Sequence, residues 1–142
     1  MSSERRAGHP PTASGGQARP LLVWRALSAL SLLAMGGIHL YLVFAGTGGV
    51  LGVLFVLNAL GALVLAIAML ALRRGLAATG ALSLLFVAGT LLSLVIALTP
   101  VGLFGIRSSL SYQLAPTALV VESIGVIVLA VTTALAFGKR TG

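Results

Sequence analysis

TALVVESIGVIVLAVTTALAF, residues 117–137, is an apolar run long enough to cross a bilayer, and it carries a carboxylate, Glu122. A helix needs ~20 apolar residues to traverse the ~30 Å hydrocarbon layer. Three earlier runs have the same character: residues 26–45, 50–72 and 76–98. GTGG at 46–49, Arg73-Arg74-Gly75 and Thr99-Pro100 separate them, each a local breaker. Short turns make successive helices antiparallel neighbours. The expected fold class is therefore all-α: an integral membrane up-down four-helix bundle with an outer linker at 99–116.

Composition supports this reading. The chain of 142 residues is 58% hydrophobic and 8% charged, with a mean hydropathy of +1.14. A soluble domain carries roughly 25% charged residues, so this chain lacks the polar surface of a soluble monomer. The net charge of +7 does not indicate nucleic acid, because the basic residues flank the apolar runs and no zinc or helix-turn-helix spacing is present. The absence of cysteine excludes disulfides and thiolate chemistry.

Lysine and arginine orient the bundle. Arg5, Arg6, Arg19 and Arg25 precede the first run, Arg73 and Arg74 form the second turn, and Lys139 and Arg140 follow the last run. On the opposite side stands Arg107. The positive-inside rule then puts both termini in the cytoplasm. Residues 1–25 read as a basic cytoplasmic tail, disordered where it is rich in Pro, Gly, Ser and Arg, and 139–142 as a second basic tail. The first run exceeds the about 7–15 residues of a signal-peptide core, so it reads as a retained helix.

Position along each helix becomes depth at ~1.5 Å per residue. Glu122 lies roughly 8 Å below the outer end of helix 4, and His39 roughly 9 Å below that of helix 1. Ser93 in helix 3 is at a similar level, while Asn58 in helix 2 and Thr90 in helix 3 are roughly 12 Å deep. The inner half offers only hydroxyls: Ser28, Ser31, Thr79, Ser83, Thr132 and Thr133. The polar chemistry is thus expected in the outer half, at a site built from His39, Glu122, Asn58, Thr90 and Ser93.

A carboxylate beside an imidazole, both withdrawn from water, can stabilise an imidazolium or share a proton. Such a pair serves a proton relay, a ligand or quinone-type pocket, or simply the registration of two helices. Arg107, from the linker above, is an alternative partner for Glu122. Small-residue stripes for close helix packing run through Gly36-Gly37, through Asn58, Ala62 and Ala66, through Gly89, Ser93 and Ala97, and through Ala118, Glu122 and Gly125. Nucleotide-binding and hydrolase motifs are absent, no metal ligand set has diagnostic spacing, and no cofactor is expected.

The segments GGIHLYLVF (36–44), GVLFVLNALGALVLA (52–66), GLFGIRSSL (102–110) and VVESIGVIVLA (120–130) resemble a group of small four-span membrane proteins of actinobacteria. A looser similarity is to the DoxX-like four-helix membrane proteins. The first resemblance implies four helices and a multi-pass bacterial plasma membrane location; the second, quinone or redox partners. The leading expectation is a non-enzymatic accessory or small-ligand-binding membrane protein, alone, as a homo-oligomer or in a larger membrane complex. The alternatives are a proton or small-solute transporter and a quinone- or metal-dependent redox subunit.

Overall fold

The computed structural model describes residues 18–72, 74–103, 105–112 and 114–138. They form four helices: α1 (Ala18–Phe44), α2 (Gly49–Ala71), α3 (Leu76–Ala97) and α4 (Ala115–Gly138). With 22 to 27 residues each, the helices run roughly 33–40 Å at ~1.5 Å per residue. All four are long and apolar enough to span a membrane. Their outward faces carry exposed Leu, Val and Ile throughout, such as Leu30, Val53, Val64, Leu85 and Ile127. Water would oppose such a surface, whereas lipid would not.

The first helix starts at Ala18, well before the apolar run at residue 26. Arg19 and Pro20 fall in its first turn, where the N–H that proline lacks would be unpaired anyway. Residues 18–25 are thus helical rather than part of a disordered tail. The remainder of the expected tails, residues 1–17 and 139–142, lies outside the described residues. At the other bounds the helices differ from the apolar runs by at most two residues.

α1 packs closely on α2 and α4, and α3 on α4, while α2 and α3 barely touch. Gly36 explains the α1–α2 contact: a Cβ there would lie 3.0 Å from Ala62 Cβ and 3.4 Å from Ala59 O. Gly80 plays the same part for α3 against α4, where a Cβ would meet Thr133 Oγ1 at 2.7 Å. Gly37 and Gly89 have nothing within 4 Å of that position, so only part of each small-residue stripe is a packing surface.

One end of the bundle carries the α1–α2 turn and the α3–α4 linker; the other carries the Arg74 turn. Toward the latter, Leu32, Met35, Met69 and Leu129 fill a dry core. A buried hydroxyl pair, Ser28 with Thr132 at 2.8 Å, joins α1 to α4 there. Arg25 reaches across the same end to bond Met69 O, Leu70 O and Leu72 O at 2.8–2.9 Å. It thereby satisfies carbonyls that the last turn of α2 leaves free. Toward the linker end burial fades. The buried residues of α3 stop at Val87, and α2 has none between Gly52 and Ala62.

Candidate functional site

Where α2 and α3 part, a cavity of about 390 Å³ opens in the linker half of the bundle. All four helices and the linker line it. His39, Asn58, Thr90, Ser93 and Glu122 all stand on its wall, so the five polar residues singled out by depth share one space. Arg107 is exposed on the linker and does not line the cavity. Among the described residues, no ion pair joins it to Glu122.

Glu122 is 1% exposed. It sits on the α4 face that also buries Ala118 and Gly125, four and three residues away respectively, which is the inward stripe of a helix. Its Oε1 lies 4.0 Å from His39 Nε2, within ion-pair range but beyond hydrogen-bonding distance. Its Oε2 is buried with no hydrogen-bond partner. On α1, His39 Nδ1 donates to Met35 O at 2.9 Å, the carbonyl one turn back. That bond fixes the ring, because a carbonyl can only accept. In the neutral imidazole, Nε2 therefore turns a lone pair toward Glu122. Phe55 of α2 meets the ring edge-on, with centroids 4.8 Å apart.

The other polar groups satisfy the carboxyl group only in part: Thr90 reaches it, and Oε2 stays unpartnered. The Thr90 hydroxyl is also within 2.8 Å of Val87 O and 3.3 Å of Met35 Sδ. The Ser93 hydroxyl donates to Gly89 O at 2.8 Å. Both are back-bonds to their own helix, the usual fate of hydroxyls in apolar surroundings. Asn58 Oδ1 is buried and unpartnered. Buried polar atoms are nearly always paired; of the four buried side-chain atoms without a partner among the described residues, Glu122 Oε2 and Asn58 Oδ1 share this cavity, while Ser83 Oγ and Thr133 Oγ1 lie outside its lining.

The linker closes the mouth. Leu103 and Ile106 exchange backbone hydrogen bonds of 2.8 Å in a tight turn, and both side chains line the cavity. Ser108 N donates to Ala97 O at 2.8 Å and ties the linker to the end of α3. Tyr112 also lines the cavity, and its hydroxyl bonds Thr47 Oγ1 at 2.8 Å, which links the two connectors of this end. Gly102 makes the turn feasible: its φ is +72°, and a Cβ would lie 2.8 Å from Ile106 O.

Apart from Ser108 and Tyr112 of the linker, the rest of the wall is apolar, and residues such as Leu54, Phe55, Phe86, Leu94, Leu103 and Ile106 were not singled out from sequence. Helical spacing does hold the signal. Phe55 precedes Asn58 by three positions and Phe86 precedes Thr90 by four, so each aromatic shares a face with a polar site residue. Comparison with protein families, with curated proteins and with solved structures finds no match to this chain. Function must therefore be argued from the cavity.

Its chemistry narrows the options. Among the described residues, no group of three His, Cys, Asp or Glu side chains gathers that could hold a metal. Below the cavity, Leu32, Met35 and Leu129 are essentially fully buried. This apolar layer separates Glu122 from the Ser28–Thr132 pair. The arrangement is a largely apolar pocket with a few polar groups on its wall, the usual form of a small-molecule site.

Proposed function

We propose that this chain is a multi-pass membrane protein, with both termini cytoplasmic, that binds a small lipophilic molecule in the cavity around His39 and Glu122 and performs no chemistry on it. The carrying observation is the pair of orphans: Glu122 Oε2 and Asn58 Oδ1 are buried and unpartnered on the wall of one cavity. An unpaired buried polar group costs about 1–3 kcal/mol, and more if charged. A ligand that hydrogen-bonds both atoms removes that cost. With the termini inside, the cavity lies under the outer surface of a bacterial plasma membrane, in keeping with the resemblance to small four-span proteins. The weakly packed α2–α3 seam offers access from the lipid.

The apolar layer of Leu32, Met35 and Leu129 below the site favours binding over passage, because a transported solute or proton needs a polar route to the other face. The test is thermal unfolding of the purified chain in a neutral maltoside detergent, with and without 1-octanol. A saturating ligand stabilises the folded state by about 2.7 kcal/mol at a hundred times its Kd. Wild type should be stabilised in this way, and Ser93→Phe, which fills the cavity from a position bonded only to its own helix, should not. Equal responses of the two proteins to 1-octanol and to octylamine alike would reject the reading.

A further inference from the structure

The polar part of the wall is rich in acceptors and poor in donors. Glu122 Oε2 and Asn58 Oδ1 are without partners. His39 spends its Nδ1–H on Met35 O, so the neutral ring adds a third lone pair at Nε2. Ser93 gives its proton to Gly89 O, and the single Thr90 proton is shared among Val87 O, Met35 Sδ and the carboxyl group beside it. The Asn58 amide N–H₂ is the donor left among the five site residues. Three acceptors, one of them on a carboxyl group, thus line one pocket whose wall is otherwise mainly Leu, Ile, Phe and Ala.

From this placement we infer that the ligand is a lipophilic primary amine, bound through its ammonium group. The inference rests on the cavity being a ligand site. An ammonium carries three donors in a compact head and a positive charge, which matches three acceptors beside a carboxylate. A hydroxyl or phenol supplies one donor and no charge, and would leave two of the three unmet. The apolar wall, which includes Phe55 and Phe86, takes the tail.

Four probes of one chain length separate these contributions: octylamine, N,N-dimethyloctylamine, octyltrimethylammonium and 1-octanol. Binding is measured by titration calorimetry on the full chain in neutral detergent at pH 7, where the protonatable amines are charged. Each probe's binding is referred to its binding to Ser93→Phe in the same micelles, which removes its own partitioning before the probes are compared. Octylamine should bind about tenfold or more tightly than 1-octanol, the margin of a charge-assisted bond. The dimethyl analogue, with one N–H, should fall between them, and the trimethyl cation should lose the advantage. In Glu122→Gln the octylamine preference should shrink to about twofold or less. Asn58→Leu, which keeps the carboxylate, should reduce it several-fold and serves if Glu122→Gln fails to fold. If octylamine binds no better than 1-octanol, or keeps its preference in both variants, the amine assignment is wrong while the cavity reading stands. If none of the four distinguishes wild type from Ser93→Phe, both fall together.

Discussion

Glu122 is a poor choice of residue for stability alone. Its side chain is buried, one oxygen has no partner, and the nearest titratable neighbour is 4.0 Å from the other. Replacing it by leucine removes the buried polar head and leaves His39 still bonded to Met35 O. Glu122→Leu should therefore raise the unfolding free energy of the ligand-free protein by about 1–2 kcal/mol, measured by reversible unfolding in mixed micelles. A loss of about 3–5 kcal/mol instead would mean that Glu122 balances a charged His39, and that the pair holds the helices together. Gly102 makes an opposite case. Gly102→Ala places a side chain at φ +72° and 2.8 Å from Ile106 O, so it should cost at least about 1–2 kcal/mol and open the linker to protease while helix content by circular dichroism is kept. At this scale the sequence is informative about depth and silent about direction. Counting residues from the helix ends sets His39, Glu122, Asn58, Thr90 and Ser93 near one level. It does not show that all five turn toward one cavity, because helices apolar on every side carry no periodic mark of their inner face.

At the scale of elements, the bundle is held unevenly. α1 is pinned to α2 at two points: Gly36 against Ala62 and Ala59, and the Arg25 guanidinium on the last carbonyls of α2. Gly36→Leu should cost about 1–3 kcal/mol through overpacking, whereas Gly37→Leu, with nothing within 4 Å, should change stability by less than about 0.5 kcal/mol. Thermal unfolding of the two variants side by side checks the contrast. Arg25→Ala should cost about 1–2 kcal/mol by freeing the α2 terminus, and Arg25→Lys should recover part of it, since an ammonium cannot match a fork that reaches three carbonyls. The number and approximate limits of the helices are plain from apolar run length. The extension of α1 back to Ala18 is not, because Arg and Pro look like a boundary until proline is allowed in a first turn. The loose α2–α3 seam is likewise invisible in sequence. The short turn between these helices makes them neighbours, but close packing depends on which small residues face across, and Gly89 faces open space.

For the molecule as a whole, the central question is which end of the bundle faces the cytoplasm, because that decides where the cavity lies. Basic residues cluster at one end: Arg19, Arg25 and Arg74 are within the described residues, with Arg107 at the other. Translocating a charged loop is costly and the cytoplasmic leaflet attracts cations, so the end with more Lys and Arg stays inside. The chain has no cysteine, so single-cysteine variants report without a background. Gly48 and Gly75 suit this purpose, as both lie in exposed turns at opposite ends with nothing within 4 Å of a Cβ. Gly75 has φ +80°, so Arg74→Cys, in the same exposed turn, should repeat its result without the backbone strain. In intact cells, a membrane-impermeant maleimide should label Gly48→Cys, while Gly75→Cys and Arg74→Cys should react only after permeabilisation. The reverse pattern would turn the bundle over. The acceptors around Glu122 would then face the cytoplasmic leaflet, and an amine would have to reach them from within the cell. The affinity order of the four probes would be unchanged, since it depends on the cavity wall itself and not on the side from which the cavity is approached.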